Sequence, residues 1–317
     1  MVYIIYSLIK AWSLTSLRER YGADYRINIA GDLTRLTLDT IALCAMGYRF
    51  NSFYRDSDVH PFVKYMFGFL KEADKSSLMP DTVNSLRFKA TSKFQHDIEN
   101  MREICQMILS SRKKNPVPGD DLLNALLYGR DPKTGEGMTD DSIVNNLITF
   151  LIAGHETTSG ALSFAFYYLL KNPKTLEKTK EEIDRVVGTE DITGEHLSKL
   201  PYVEAVLRES LRLQPTAPAM TVGALENTVI GGKYYIKKGE PLICMFQNIQ
   251  SDKAVYGEDA DEFRPERMLE ENFNKLPKNA WKPFGKGSRG CIGRSFAWQE
   301  SLLVRLPPPP LFTDQSH

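Results

Sequence analysis

The chain has 317 residues, enough for one large domain or two ordinary ones. Hydrophobic residues make up 42% of it and aromatic residues 10%, a composition that supports a sizeable core and excludes general disorder. Lysine plus arginine equals aspartate plus glutamate at 40 each, so no net charge recruits nucleic acid or an anionic membrane.

The cysteines and the N-terminus bear on the cellular compartment. No Cys-x-x-Cys pair or regular spacing occurs among the four cysteines, Cys44, Cys105, Cys244 and Cys291. This favours a reducing compartment over a disulfide or zinc framework, and we expect a cytoplasmic protein. The apolar start, residues 1–9, is too short to span a bilayer and lacks the basic start and cleavage site of a signal peptide. No other segment qualifies as a transmembrane span.

Helical patterns dominate the chain as far as residue 213. They predict helices over 32–47, 61–73, 84–114, 139–171, 174–187 and 200–213. The helix that starts near Thr139 carries Asp140 and Asp141 in its first turn, which suits the helix dipole, and Pro173 ends it. At ~1.5 Å per residue its roughly 33 residues extend ~50 Å, enough to cross a whole domain.

Strand patterns are confined to residues 219–250. Val229-Ile230 and Tyr234-Tyr235-Ile236 flank Gly231-Gly232, which predicts a hairpin with a two-residue turn. Residues 252–283 are irregular and rich in Pro, Asp, Glu and aromatic side chains. The predicted fold class is therefore mainly α with a small β-sheet, an α+β arrangement.

The most specific pattern in the chain is Phe-x-x-Gly-x-Arg-x-Cys-x-Gly, from Phe284 to Gly293. Glycines at 287, 290 and 293 allow the backbone to turn tightly and to approach a flat ligand closely. Backbone N–H groups around Cys291, with Arg289 two residues earlier, would favour the thiolate. Such a thiolate can be the fifth ligand of a haem iron. The alternative is a free core cysteine beside a glycine-rich turn.

With this pattern the chain resembles the cytochrome P-450 family of haem-thiolate monooxygenases. It is most similar to the self-sufficient fatty-acid hydroxylases, whose haem domain is fused to a flavin reductase. The resemblance implies a P-450 fold and a haem b cofactor with Cys291 as the axial ligand of its iron. It implies that O2 is used to hydroxylate an unactivated C–H bond. The implied substrate is a lipid, specifically a long-chain fatty acid. NADPH would supply electrons through the FAD and FMN of a reductase partner, fused or separate, that is absent from this chain.

The resemblance also assigns roles around the loop. Arg289 would pair with a haem propionate, and Phe284 would pack against the cysteine and tune the iron. Gly287 and Gly293 would belong to the haem-binding backbone. Nearby Trp281 and Trp298 are interpreted as packing residues.

The centre of the long helix, from Ala153 to Gly160, contains two glycines and two threonines. These residues are poor helix formers, costing up to ~1 kcal/mol each relative to alanine, and such departures are typical of functional sites. Glu156 and Thr157 form an acid–alcohol pair that can relay protons. By resemblance, Thr157 is the oxygen-side hydroxyl, Glu156 delivers protons, and Ala153 and Gly154 form the surface over the haem. The alternative is a helix kinked by Gly and Thr, with Glu156 buried and paired elsewhere.

Two further positions near this centre allow more than one interpretation. His155 is flanked by charged and hydroxyl residues, and we interpret it as an ordinary hydrogen-bonded side chain, not a metal ligand. Ala217 follows a helix in a segment that resembles the turn bringing a small side chain toward the substrate. With Ala153 it would leave room for a carbon chain, although a plain proline turn is the alternative.

Glu209 and Arg212 stand three residues apart on one helix face, as in the family's Glu-x-x-Arg motif. Alone this pair is a weak signal, because i,i+3 ion pairs usually lie on surfaces. The family adds a second arginine from the irregular segment before the cysteine loop, and Arg267 supplies it. The resemblance implies a structural role, a carboxylate shared by two guanidinium groups that supports the cysteine loop.

Both ends of the chain depart from the family. We expect a partial haem domain over residues 1–304, with residues 1–23 matching poorly, and an aberrant, disordered Pro-rich tail over residues 305–317. The four prolines at 307–310 cannot continue a helix. An incomplete P-450 fold raises the alternative of a truncated, non-catalytic remnant that binds haem weakly or not at all.

Overall fold

The computed structural model describes residues 28–52, 60–77, 79–80, 83, 87–188, 190 and 192–304. The chain divides into two compact units, residues 3–156 and residues 157–317. The expectations for residues 1–23 and 305–317 fall outside the described residues, and a single haem domain over residues 1–304 stays a prediction. The structure is mostly helical with short strands, so the predicted fold class is confirmed.

Helices account for most of the described residues. The first unit contains α1 (Ile29–Met46), α2 (Pro61–Ser77), α3 (Phe88–Lys114) and α4 (Leu122–Tyr128), and α5 (Asp140–Lys171) continues from it into the second. The second unit contains α6 (Pro173–Val186), α7 (Gly194–Leu197), α8 (Pro201–Leu213), α9 (Phe246–Gln250), α10 (Lys253–Tyr256), α11 (Glu270–Phe273) and α12 (Arg294–Leu303). Short 3-10 turns occur at Pro265–Met268 and Gly287–Arg289. The long predicted helices all form, with ends within a few residues of those expected.

The first half of α5 buries one apolar face in the first unit. The spacing of its buried residues matches the stripe of an amphipathic helix that faces a core. These residues are Ile143, Val144, Leu147 and Leu151. Among the helices of the described ranges, none combines the length and the apolar character needed to cross a membrane.

A buried cation joins three helices of the first unit. Arg112 of α3 donates to the Met46 carbonyl at the end of α1 (2.8 Å) and to both carboxylate oxygens of Asp121 (2.9 and 2.6 Å). Asp121 is also the N-cap of α4, because its side chain accepts the N–H of Asn124 at 2.8 Å. One guanidinium group therefore satisfies a helix C-terminus and holds a helix cap in place.

The start of α8 in the second unit is held by a carboxylate from α6. Glu182 accepts the N–H groups of Tyr202 (3.0 and 2.9 Å) and Val203 (2.9 Å), which have no partner within their own helix. Pro201 occupies the first helical position, where a missing N–H is tolerated. The helix that carries Glu209 and Arg212 is thereby anchored at its N-terminus.

Two antiparallel strand pairs lie between α8 and α9 in the second unit. Strand β1 (Ala219–Gly223) pairs with β4 (Pro241–Met245), and β2 (Thr228–Ile230) pairs with β3 (Tyr234–Ile236). The strand signals predicted over 219–250 therefore form two small sheets.

The β2–β3 connection differs from the prediction by one residue. Gly231 and Gly232 both have positive φ, +61° and +65°, and the N–H of Lys233 donates to the Ile230 carbonyl at 3.1 Å. This is the tight turn that the two glycines predicted. Strand pairing, however, joins Ile230 to Tyr234, so the connection has three residues. The N–H of Lys233 closes the turn, and the ladder therefore begins one residue later.

The Asp121 carboxylate predicts an acid-sensitive contribution to stability. Burial alone would raise the pKa of Asp121, but hydrogen bonds from Arg112 and the Asn124 N–H outweigh it and hold the pKa below its usual value. The stabilisation is then present above about pH 4 and is lost as the pH falls through the folded-state pKa. We expect Asp121→Asn, which keeps the cap, to lower the free energy of unfolding by about 1–3 kcal/mol at pH 7.

The measurement is urea unfolding followed by circular dichroism from pH 7 to pH 3. The difference between the two proteins should shrink toward pH 3 as the wild-type carboxylate takes up its proton. A difference that stays constant across this range would contradict the assignment.

Candidate functional site

The cysteine loop, residues 284–293, presents its sulfur on the surface of the second unit. Cys291 is exposed, and the apolar side chain of Ile292 beside it is 87% exposed. The N–H of Cys291 donates to the Phe284 carbonyl at 2.9 Å and closes the loop. A thiol and an apolar side chain exposed side by side can bind a flat, apolar ligand that carries a metal.

Two glycines of this loop have backbone conformations that other residues rarely adopt. Gly285 has φ +65° and Gly287 has φ +71°, both in the left-handed region. Gly287 was predicted as a site residue, whereas Gly285 was missed because the family pattern leaves its position open. A Cβ at Gly293 would lie 4.0 Å from the Cys291 sulfur, which is an ordinary contact distance. Crowding by that sulfur therefore does not explain why residue 293 is a glycine.

An aromatic cluster supports the cysteine loop within the second unit. The Phe284 ring lies 6.1 Å from the Trp281 ring and 5.9 Å from the Trp298 ring, measured between centroids. The Trp281 indole donates to the Arg208 carbonyl and the Trp298 indole to the Glu204 carboxylate, each at 3.0 Å. Both acceptors belong to α8, so the two indoles pack as predicted and also attach the loop to this helix.

The structure brings together the three residues of the predicted ion-pair triad. Glu209 accepts from Arg212 at 2.7 and 2.9 Å and from the Nε of Arg267 at 3.0 Å. The backbone N–H of Arg264 donates to the same carboxylate at 3.0 Å. Glu209 and Arg212 are completely buried and Arg267 is 8% exposed, so this pair differs from the surface pairs that share its spacing.

The remaining N–H groups of the two guanidinium groups donate to backbone carbonyls between residues 250 and 262. Carbonyls at helix ends and in loops have no partner within a helix or sheet, and these arginines provide the donors. Arg212 donates to the carbonyls of Gln250 (2.9 Å) and Glu262 (3.2 Å), and Arg267 to those of Tyr256 (2.9 Å) and Asp259 (2.8 Å). The triad therefore orders a stretch of backbone that regular secondary structure leaves unpaired.

Within the first unit, Gly154 of α5 packs against Ile41 of α1. A Cβ at Gly154 would lie 2.8 Å from Cγ1 and 3.1 Å from Cδ1 of Ile41, closer than real side chains approach. The adjacent Ala153 is exposed. The glycine thus has a packing reason inside the first unit, which the sequence did not reveal because Ile41 is more than a hundred residues away.

His155 is completely buried next to Gly154. Its Nδ1 lies 2.5 Å from the Leu151 carbonyl, so this nitrogen carries the proton, and Nε2 has no hydrogen-bond partner among the described residues. Burial lowers the pKa of His155, and the bond to Leu151 only partly opposes this, so the ring is neutral at neutral pH. The position fits a hydrogen-bonded core side chain.

The proposed proton-relay pair follows directly on α5. Glu156 is half-buried, and burial raises the pKa of its carboxyl group above the usual value. Thr157 is exposed, whereas the next residue, Thr158, is buried. A raised pKa favours the protonated form of a carboxyl group, which is the form that delivers a proton.

The segment that carries Ala217 approaches the second-unit part of α5. A Cβ at Gly160 would lie 3.0 Å from the Cγ2 of Thr216, so the missing side chain permits this contact. Ala217, the next residue, is exposed, and so is Arg289 on the cysteine loop.

A family model for cytochrome P450 matches residues 7–305, and the chain belongs to this family. It is similar to self-sufficient cytochrome P450 monooxygenases of Oidiodendron maius (72% identical) and Exserohilum turcicum (63%), each over 285 residues, 90% of this chain and 27% of the relative. It is 58% identical over 292 residues to a bifunctional cytochrome P450/NADPH–P450 reductase of Aspergillus oryzae, covering 90% of this chain and 26% of that protein. The chain therefore spans about a quarter of the length of these relatives. The family inferred from the cysteine loop is confirmed.

The contact between Gly154 and Ile41 predicts that alanine is destabilising at position 154. Helix propensity alone would favour Gly154→Ala by up to ~1 kcal/mol, but the added Cβ would overlap Ile41. Overpacking of this kind typically costs about 1–3 kcal/mol. We expect urea unfolding to show a net loss of stability in Gly154→Ala.

The double variant Gly154→Ala/Ile41→Ala removes the overlapping atoms and serves as the control. The loss of unfolding free energy in the double variant should be smaller than the sum of the losses in the two single variants. The added Cβ fills part of the cavity that Ile41→Ala leaves. Additive effects would show that the two residues do not press on each other.

Proposed function

We propose that this chain forms the haem-thiolate centre of a monooxygenase, with Cys291 as the protein ligand of haem b iron. The observation that carries the proposal is the exposed sulfur of Cys291 in a loop with left-handed glycines, in a chain of the cytochrome P450 family. When bound, the haem would supply reductive activation of O2 and insertion of one oxygen atom into an unactivated C–H bond.

The chemistry of the loop fits this cofactor. The sulfur of Cys291 and the side chain of Ile292 together offer a soft metal ligand and an apolar surface. Arg289, two residues before the cysteine, is an exposed cation that can pair with a propionate. Phe284 joins the loop to the two tryptophans, and Gly287 permits its turn, so the backbone that carries the sulfur is supported from the second unit.

Glu156 and Thr157 are the proposed proton-relay residues. Burial raises the pKa of Glu156 above its usual value, which favours the protonated form, and the hydroxyl of Thr157, on the next and exposed residue, can receive a proton and pass it on. Ala153 and Gly154 precede them. We propose that the exposed Ala153 lies against the cofactor, whereas the side-chain position of Gly154 is occupied by Ile41 of α1.

The proposed substrate is a long-chain fatty acid, with small residues leaving room for its carbon chain. Ala153 and Ala217 are both exposed and carry only a methyl group. Electrons would come from NADPH through the FAD and FMN of a flavin reductase, fused or separate. The names of the relatives support this route, because one is a bifunctional P450/NADPH–P450 reductase and others are self-sufficient monooxygenases.

The ligand assignment is tested by the carbon-monoxide difference spectrum of the reduced, haem-loaded chain. We expect Cys291→Ala to abolish the thiolate-type spectrum, because the iron loses its sulfur ligand. Cys105→Ala and Cys244→Ala should keep it. Cys105 is a matched control, since burial raises its pKa to about 12 and keeps it a thiol. Retention of the spectrum in Cys291→Ala, or its loss in a control variant, would refute the assignment.

The relay is tested by how efficiently electrons are used for product. With a flavin reductase supplied, Thr157→Ala should divert electrons to peroxide and water while substrate binding stays near that of the wild type. A positioned proton donor typically speeds proton transfer about 10²–10⁴-fold. The coupling, which is the fraction of electrons that ends in product, should therefore fall steeply. Thr149→Ala is the control, because Thr149 is an exposed residue on the same helix whose hydroxyl, among the described residues, donates to the Asn145 carbonyl one turn earlier. Equal coupling in the two variants would exclude Thr157 from the relay.

A further inference from the structure

The hydroxyl of Thr37, in the middle of α1, reaches α5 inside the first unit. Its Oγ1 lies 2.9 Å from the carbonyl oxygen of His155, and both residues are completely buried. The same hydroxyl lies 2.9 Å from the Leu33 carbonyl and 3.4 Å from the Thr34 carbonyl on its own helix. A hydroxyl has one proton to donate. Of these contacts, the one to His155 joins two helices that are more than a hundred residues apart in sequence.

Another threonine of α1 provides the comparison that gives this contact meaning. Thr40 is also completely buried, and its hydroxyl donates to the Leu36 carbonyl of its own helix at 2.9 Å. This is the ordinary local bond of a helical threonine. Thr37 has the same kind of local acceptor, the Leu33 carbonyl, and in addition the His155 carbonyl of α5 at the same distance of 2.9 Å, so its single proton is shared between the two helices.

The contact lies one turn from a second close contact between α1 and α5. Ile41 lies four residues after Thr37 on α1, which places it on the same face one turn along. That face meets α5 at Gly154, where a Cβ would overlap Ile41, and at the carbonyl of His155. The glycine therefore permits the approach that brings the Thr37 hydroxyl within hydrogen-bond distance.

The hydrogen bond acts on the backbone ladder of α5. In a regular helix the carbonyl of His155 accepts the N–H of Ser159, and that of Leu151 accepts the N–H of His155. Here the backbone carbonyl of His155 also accepts from the Thr37 hydroxyl. The backbone carbonyl of Leu151 also accepts from the imidazole N–H of His155, at 2.5 Å. Side-chain donors that share helix carbonyls tend to bend the helix at that point. Glu156 directly follows His155 and lies in the helical turn that runs from the His155 carbonyl to the Ser159 N–H.

We propose that Thr37 is a positioning residue for the proton relay. Its hydroxyl, through the His155 carbonyl, holds the turn of α5 that carries Glu156 and Thr157. Thr37 is completely buried and meets α5 at the His155 carbonyl, so it acts on the relay through the backbone. The consequence for catalysis rests on the proposed function, whereas the effect on the helix rests on the hydrogen bond alone.

The structural part is tested by amide hydrogen exchange in the full, haem-loaded chain. Thr37→Val keeps the shape of the side chain and removes the hydroxyl, and Thr40→Val is the matched control in the same helix. We expect amides 155–160 to exchange about fivefold faster in Thr37→Val, the factor that one net hydrogen bond represents. They should exchange at the wild-type rate in Thr40→Val, and Thr37→Ser should restore that rate.

The catalytic part uses the same variants with a flavin reductase supplied. Thr37→Val should lower the fraction of electrons that reach product with an unchanged KM, whereas Thr40→Val and Thr37→Ser should match the wild type. If Thr37→Val does not fold, Thr37→Ser and Thr37→Ala differ by the hydroxyl and give the same comparison.

The outcomes separate this inference from the proposed function. Equal exchange at residues 155–160 in Thr37→Val and Thr40→Val would overturn the inference, whatever the spectrum of the Cys291 variant shows. So would faster exchange in Thr37→Val with unchanged coupling, because the hydroxyl would then hold the helix without serving the relay. Failure of the Cys291 test alone would overturn the proposed function and leave the Thr37-specific exchange unaffected.

Discussion

The arrangement of the second unit depends on one buried carboxylate, that of Glu209. It accepts two bonds from Arg212, one from Arg267 and one from the backbone N–H of Arg264, so its charge is compensated from three directions. Removing one partner of a buried ion pair typically costs about 3–5 kcal/mol, a large part of a domain's net stability of about 5–15 kcal/mol. Breaking the triad is therefore strongly destabilising. It would loosen both α8 and the irregular segment before the cysteine loop.

The cysteine loop needs such support because an exposed sulfur must still have a fixed position. A site on a loop is less precise than one on a helix unless its surroundings hold it. Here α8 provides that support twice, through the triad and through the carbonyl of Arg208 and the carboxylate of Glu204, which accept the indoles of Trp281 and Trp298. The N-terminus of the same helix is held by Glu182. The helix acts as a base for the loop without contributing a metal ligand.

The sequence predicted those features that short patterns specify. The cysteine loop and the Glu-x-x-Arg pair have fixed spacing, and the long helices have strong periodicity, so the order of amino acids is enough to identify their residues. Burial distinguishes the Glu209–Arg212 pair from a surface pair, and spacing alone does not contain that information. The contacts of Thr37 and Gly154 with partners over a hundred residues away also depend on tertiary packing. The hairpin was wrong by one residue because two glycines define the turn but not the strand register.

The centre of α5 shows how one departure from helix propensity can have several causes. Gly154 is a poor helix former that lets α1 approach, and its cost of about 1 kcal/mol relative to alanine is offset by packing on Ile41. Gly160 has the same explanation through Thr216, within the second unit. Thr157 is an exposed residue that carries a side chain, so making room for a neighbouring segment does not account for it. Because it directly follows a half-buried carboxyl group, it is the departure for which we propose a chemical role.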